Sequence, residues 1–378
     1  MSHHSQQRND PRRHVVIVGG GLAGLSAAEC IARHHPDRFR VSVLEAKRVA
    51  GGRASSFTDP ESGETLDYCQ HVAMGCCTNL LGLLARCGLG EAMRRHRRLS
   101  FLHPHHPPSE FAPSRWLPAP LHLASVIGKL NYLDRKQKRE IRHGLWKLIR
   151  TPQQDLVDVV ALNWLAAQGQ SERTRRLFWD VILTSALGEH SEWTSMAAAQ
   201  KVLLDGFAAA QGASDILVPD RPLATLVGRD LVDALRTMGV DVRCGTGVQT
   251  ILTERGKLHG VLTRDGQRIE AEHVISAVPW HAVGRLFRDA RLTAALPHLD
   301  SFETIPASPI SGIHLWWDRQ LTARPHAVLV DCLTQWLFRQ PFGESHSAAT
   351  RSPHYYQVVI SGSHPMSDAP KAAQVRQV

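Results

Sequence analysis

Gly19, Gly21 and Gly24, followed by the carboxylate of Glu45, are the residues of this chain whose types and spacing most plainly could hold a nucleotide diphosphate. Gly19 permits a tight turn, Gly21 lets the main chain approach a pyrophosphate, and Gly24 lets a helix lie close on a strand. Gly20 sits inside the same turn. A helix opening at Leu22 and Ala23 would direct its first N–H groups and positive dipole end at phosphate oxygens. Glu45, with Ala46 beside it, stands about 20 residues after the third glycine, the spacing at which a carboxylate accepts hydrogen bonds from ribose hydroxyls.

Those residues need elements to place them. Val15 to Val18 is a β-branched run, short enough for a strand buried on both faces. Leu22 to about Arg33 reads as the helix, and Val41 to Leu44 as a second strand that ends at the acid. Strand, glycine turn, helix, strand and acid together make a βαβ dinucleotide-binding unit. Arg12-Arg13 before a charge-free stretch to Ala28 also fits the outline of an export signal. Three consecutive glycines interrupt that stretch, and a signal peptide has no use for the acid, so this reading is excluded.

Gly51-Gly52-Arg53 follows the acid, and Ala54 to Phe57 reads as a short strand. The combination resembles the flavin-containing amine oxidase and phytoene desaturase superfamily. The resemblance implies FAD as cofactor, with Gly19, Gly20, Gly21, Leu22, Ala23, Gly24, Glu45, Ala46, Gly51, Gly52 and Arg53 among its contacts. It places Arg53 on the diphosphate, where a planar fork of donors suits phosphate oxygens, and the Val248 main chain against the adenine. The superfamily often carries another arginine four residues after the acid; here Val49 stands there and Arg48 comes one step early.

A narrower likeness rests on Leu66 to Leu81, Trp116 to Ala124, Phe178-Trp179, Ala186-Leu187 and Leu217-Val218-Pro219. These segments resemble the hydroxysqualene dehydroxylases, and similarity runs from about residue 14 to about residue 361. That likeness implies an apolar isoprenoid substrate and the reductive removal of an allylic hydroxyl, hydroxysqualene giving squalene. Hydroxide leaves poorly, so the reaction needs a proton donor, while reduced flavin provides hydride. His71 is the candidate donor, Gln70 its orienting hydrogen-bond partner and Asp67 its tuner; a bland alternative is that His71 only binds the main chain. A carotenoid or phytoene-type desaturase, a flavin amine oxidase and a truncated, inactive flavoprotein remnant are the alternative functions.

Composition bounds these readings. A chain of 378 residues, 43% hydrophobic, can bury two cores. The expected class is α/β: a Rossmann-like FAD/NAD(P)-binding domain with an inserted, largely helical substrate domain resting on a mixed β-sheet. Residues 14–75 and 222–290 would form the first domain and 76–221 and 291–361 the second, with 1–13 and 362–378 disordered. The seven cysteines include no CxxC pair, which suits a reducing, cytoplasmic location. No run reaches the roughly 18 apolar residues of a bilayer span.

The net charge of +9 is clustered, at Arg94, Arg95, Arg97 and Arg98 and again at Arg135, Lys136, Lys138 and Arg139. An amphipathic helix over Leu121–Leu133 between them would suit peripheral docking on the inner face of the membrane, solvated surface charge being the alternative. Aromatics at 6% and the lack of a recognition motif argue against nucleic acid. His103, His105 and His106 lie in a proline-rich stretch without a cysteine or carboxylate cluster, so no metal site is expected. A single dinucleotide fingerprint gives no resident NAD(P)H site, and the electron donor is unknown.

Further helices are expected at Asn79–Cys87, Arg135–Ile149 (capped by Asp134), Leu156–Ala167, Glu172–Leu187, Ser195–Ala209 and from Leu223 to Met238, the last ended by Gly239. Strands are expected at Val240–Arg243, Val248–Thr253, Leu258–Thr263 and His273–Val278, with an Asp265-Gly266 hairpin, and at Ile310–Trp317, His326–Val330 and Tyr355–Ile360. The superfamily closes with a strand ending in Gly-Asp and a helix facing the flavin. This chain has no Gly-Asp pair, so the closing element is expected to be missing and flavin to be held substoichiometrically.

Overall fold

The structure is a computed structural model that describes residues 10–287, 290–296, 299–302, 304–339 and 354–364, together with residues 370, 373 and 376. Most of the two ends expected to be disordered lies outside the described residues. Arg13 does not belong with them: it begins the first strand and pairs with Phe39.

The amino-terminal unit forms as its residue types dictate. Strand β1 (Arg13–Val18) is buried from His14 onward, helix α1 spans Leu22–His34, and strand β2 spans Phe39–Glu45. In the sheet the order is Asp241–Cys244, β2, β1, His273–Ser276, all parallel. Val16 and Ile17 have no exposed surface, as a strand covered on both faces requires. The two outer strands pair with partners 199 or more residues away, and just before the second of them Glu272 Oε2 accepts the His14 N–H at 2.6 Å across 258 residues.

Helix α1 rests on this sheet through Gly24, Leu25, Ala28, Glu29 and Ala32. Glu29 is 1% exposed and takes Arg33 Nε at 2.8 Å and Arg86 Nε at 2.7 Å. Arg86 comes from the next helix, Thr78–Arg86, so the ion pair ties two helices together. From Leu223 to Thr237 the chain is helical with a wider π turn over Leu226–Leu231, and Gly239 turns out of it at φ +83°.

A six-stranded mixed sheet carries the second core, in the order Ile310–Trp317, His354–Ser361, Trp336–Arg339, His326–Leu329, Leu99–His103, His106–Phe111. Its first, second and fourth strands match the sequence expectation. The last two lie in a stretch expected to be helical or, around His103–Pro108, a loop. Leu99 and Phe101 alternate inward, and the turn at Pro104-His105 closes a hairpin. Met93–His96 is likewise a strand, paired with Ile216–Pro219.

The expected amphipathic helix over Leu121–Leu133 is replaced by two single 3-10 turns, Leu121–Leu123 and Ile127–Lys129. Pro118 and Pro120 precede it, and Leu130 is extended, so no run of i to i−4 bonds builds up. Val126, Leu130 and Leu133 of the expected apolar stripe are buried, but so is His122, expected on the polar side. The helix meant to dock on a membrane is therefore not formed. Among the described residues no helix is long and apolar enough to cross one.

Leu156–Ala167 also shortens, to Ala161–Ala167, because Val160 is extended and bridges to Ser195. The helix at Arg135–Arg150 forms as expected, with a reciprocal Asp134–Gln137 capping box.

The Glu29 pair yields a pH prediction. The Arg86 and Arg33 guanidiniums hold the Glu29 carboxyl below its ordinary value. A carboxyl depressed in the fold contributes stability above its unfolded pKa and loses it as pH falls through the folded value. Urea unfolding should show wild type more stable than Glu29→Gln near neutrality, by about 1–3 kcal/mol, with the gap closing as the pH is lowered below 4. An equal gap at both pH values would count against the pairing.

Candidate active site

The glycine turn is shaped by a near-contact. A Cβ on Gly24 would lie 1.9 Å from the Gly19 carbonyl oxygen, so α1 can sit this low over β1 only with hydrogen at that position. Gly21 is the N-cap of α1, with no side-chain cap and no acid in the first turn. The N–H groups of Leu22, Ala23 and Gly24 therefore face outward without intrahelical partners. A Cβ on Gly21 would meet nothing nearer than Gly52 Cα at 3.8 Å.

The second glycine pair closes against the first. Gly51 N–H donates to the Gly20 carbonyl at 2.8 Å, Gly21 and Gly51 form a parallel bridge, and Gly51 adopts φ +118°. The strand expected at Ala54–Phe57 begins only at Ser56, because Gly52 and Arg53 remain in this turn.

Glu45, at the end of β2, is 8% exposed. Its Oε2 accepts the Gly20 N–H at 2.7 Å and its Oε1 the Lys47 N–H at 2.8 Å. A carboxylate offers about four lone-pair sites, which leaves acceptor capacity for ribose hydroxyls. Ala46 lies in the turn just past it. The segment before Val248 runs alongside: the Gly245 N–H donates to the Lys47 carbonyl at 2.7 Å and the Thr246 N–H to the Glu45 carbonyl at 2.8 Å. Val248 opens its strand with its side chain buried against Val16, Val18 and Leu44.

Thus Gly19 to Gly24, Glu45, Gly51-Gly52 and the approach to Val248 converge on one rim. Free helical N–H groups, side-chain-free glycines and a fixed acid fit an adenine dinucleotide. Arg53 is exposed, with its guanidinium 5.8 Å from the centre of the Trp280 ring. Trp280 begins the short helix after the strand His273–Ser276. Sequence reasoning passed over it, although its place two residues after Val278, at the carboxyl end of a strand, was the available signal.

The proposed catalytic residues sit differently from expectation. The His71 ring is exposed, and its Nδ1 lies 2.7 Å from the Cys69 carbonyl. A nitrogen facing a carbonyl must carry the proton, so the neutral ring presents Nε2 as an acceptor. Gln70 Nε2 donates to the His71 main-chain carbonyl at 2.9 Å, a bond to the main chain and not the ring bond expected of it. Asp67 makes no hydrogen bond to the ring among the described residues, although the two groups interact through their charges. It is buried, and its Oδ1 accepts Ser56 Oγ at 2.6 Å and the Leu223 N–H at 2.8 Å. Burial, the largest effect, raises its pKa despite those bonds.

Behind this segment stands a polar cluster that the sequence did not disclose. Gln357, fully buried, donates to the Asp67 carbonyl at 3.0 Å, and His314 Nδ1 lies 2.6 Å from Tyr355 Oη. Gly312 packs so tightly on the Tyr68 carbonyl that a Cβ would come within 2.7 Å. Burial pushes the Cys69 thiol up to about 11, which keeps it protonated at neutral pH.

A parallel sheet with a dinucleotide rim at the carboxyl ends of its strands, joined to a second, mixed sheet, defines a nucleotide-dependent oxidoreductase fold. The chain belongs to the flavin containing amine oxidoreductase family, which matches residues 22–369, and FAD is the dinucleotide that the site fits. It is 26% identical over 325 residues to the 15-cis-phytoene desaturase of Arabidopsis thaliana, covering 81% of this chain and 54% of that one. To the 15-cis-phytoene desaturase of Synechococcus elongatus it is 24% identical over 334 residues, covering 82% and 67%.

The chain thus spans about half the length of the plant relatives it matches. Among solved structures, an oxidoreductase from Methanosarcina mazei superposes with a TM-score of 0.69 at 15% identity, covering 96% of this chain and 82% of that one. A redesigned putrescine oxidase gives 0.69 at 16%, covering 97% and 79%.

The two glycines should separate binding from stability. Gly24→Ala forces backbone apart and should cost roughly 3 kcal/mol in urea unfolding. Gly21→Ala should leave stability within about 0.5 kcal/mol yet weaken FAD binding, read by flavin fluorescence quenching, at least about tenfold. Undiminished FAD affinity in Gly21→Ala would remove the rim from the binding site.

Proposed function

We propose that this chain is a flavin-dependent oxidoreductase of an apolar isoprenoid, acting by reductive dehydroxylation of hydroxysqualene to squalene. The observation that carries the proposal is the exposed His71, held at Nδ1 by the Cys69 carbonyl, within the segment Leu66–Leu81 that resembles hydroxysqualene dehydroxylases. Bound reduced FAD would supply a hydride.

The chain's part is to handle the proton. As imidazolium, His71 donates from Nε2 to the substrate hydroxyl, which departs as water; substrate, proton and hydride then balance to hydrocarbon and water. The Nδ1–H bond keeps the ring fixed while Nε2 loses its proton. Gln70 holds the His71 carbonyl and so steadies the main chain beneath the ring. Asp67 acts further back, fastening this segment to Ser56 and to the start of the helix at Leu223.

A second reading, desaturation of a phytoene-type polyene, is favoured by the relatives named as 15-cis-phytoene desaturases. There the neutral ring would accept at Nε2 the proton that substrate gives up, while bound oxidised FAD would take the hydride from the neighbouring carbon.

Product analysis separates the two. Reduced holoprotein with hydroxysqualene should yield squalene, and His71→Ala should slow that conversion about 10²-fold or more without loss of bound flavin. A new double bond in phytoene, with hydroxysqualene untouched, would instead establish the second reading. Turnover of an amine alone would overturn both.

A further inference from the structure

We propose that a second ligand site, for a phosphoryl-type oxyanion, lies between the strand Met93–His96 and the strand pair His326–Leu329 and Trp336–Arg339. It shares no residue with the dinucleotide rim and does not rest on the substrate assignment. Arg94, His96, His326 and Arg339 line a small pocket open to solvent, with Val218, Pro219 and Pro325 completing its walls.

The fold brings these groups together by simple rules. Arg94 and His96 are two residues apart on one strand and so share a face. Antiparallel pairing sets Val218 opposite Arg94. His326 opens its strand and Arg339 closes the neighbouring one, where the Arg339 N–H donates to the Pro325 carbonyl at 2.8 Å. The His96 and His326 rings meet edge to face, with centres 4.8 Å apart.

Charge accounting points to an anion. Arg95, on the opposite face of its strand, is paired with Asp215 at 3.0 Å, and Arg98 with Glu110 at 3.6 Å. Arg94 and Arg339 have no ion pair among the described residues, and no carboxylate lines the pocket. Two guanidiniums turned toward one small space repel each other unless a shared anion lies between them. Their planar forks match the oxygens of a phosphoryl group.

The buried histidine supplies an independent observation. His326 is 3% exposed, and its Nδ1 is buried without a hydrogen-bond partner among the described residues. Such an orphaned polar atom is costly in a folded chain. A ring N–H of His326 already donates to the Arg98 carbonyl, which leaves Nδ1 an acceptor in the neutral ring; the P–OH of a phosphoryl ligand in the pocket would satisfy it. Burial lowers the pKa of His326 to about 4 and, with the nearby Arg94 charge, also depresses that of His96, so both rings are neutral near pH 7 and each carries one N–H. The apolar walls strengthen every contact made inside.

The same phosphoryl chemistry is offered by a soluble phosphate and by a lipid headgroup, and the test distinguishes them. The full chain is titrated with inorganic phosphate at constant ionic strength, followed by calorimetry and by the ring-proton resonances of His96 and His326. Saturable binding that shifts both histidines is expected. Arg94→Gln and Arg339→Gln should each weaken it at least about tenfold, and Arg142→Gln, an exposed arginine elsewhere, should not.

Sedimentation with phosphatidate vesicles, lost in Arg94→Gln, would assign the anion to a headgroup; binding of inorganic phosphate alone would assign it to a soluble ligand. Should either variant fail to fold, the wild-type histidine shifts decide the matter. Absence of saturable phosphate binding at millimolar concentration, or binding that leaves both histidines unmoved, would overturn the proposal.

Discussion

The oxygen of Gly19 sits directly beneath α1, and the helix can come down onto β1 only because Gly24 brings no side chain to that contact. From this one approach several others follow. It fixes the height of the helix over the sheet, and hence where the N–H groups of Leu22, Ala23 and Gly24 emerge. It leaves the Gly20 N–H within reach of Glu45 and the Gly20 carbonyl within reach of Gly51. The acid and the second glycine pair are thus positioned by the main chain of the first turn, not by packing of their own side chains. A rim built this way is stiff before any nucleotide arrives, which lowers the ordering cost of binding.

Away from the rim, buried polar groups join parts of the chain that hydrophobic contacts alone would leave free to slide. Asp67 receives donors from Ser56 and Leu223, and its own carbonyl receives Gln357 from the six-stranded sheet. Glu29 links α1 to the helix carrying Arg86. Apolar contacts set how much surface is removed from water, but they are non-directional. Hydrogen bonds at these junctions are directional, and misplacing one buries an unsatisfied atom at a cost of about 1–3 kcal/mol. They therefore select one registry between the sheets, and they hold the His71 segment in place from behind.

Legibility in the sequence followed the range of the forces involved. The first βαβ unit could be read because its determinants are local: β-branched residues, a glycine turn, a helical stripe and an acid at fixed spacing. The Asp134 cap and the Asp265-Gly266 hairpin were readable for the same reason. The helix expected over Leu121–Leu133 failed because apolar spacing says nothing about the prolines before it or the extended Leu130. The strands at Met93–His96 and His106–Phe111 hid behind arginine, histidine and proline, whose strand character comes from their partners across the sheet. Gln70 and Asp67 were placed near His71 by adjacency in sequence. The hydrogen bonds seen are instead to the His71 main-chain carbonyl for Gln70 and, for Asp67, from Ser56 and an amide 156 residues away.

The parallel sheet also has a temporal meaning. β1 and β2 are made before the strands that flank them, Asp241–Cys244 and His273–Ser276, which follow their partners by 199 residues or more. At about 5–20 residues per second this is a wait of roughly 10–50 s. Throughout that interval the first-made strands carry open edges, ready to pair with any other extended segment. Of the four strands, the two translated first are consequently completed only when the last two arrive, and nascent chains of this protein should be clients for factors that shield such edges.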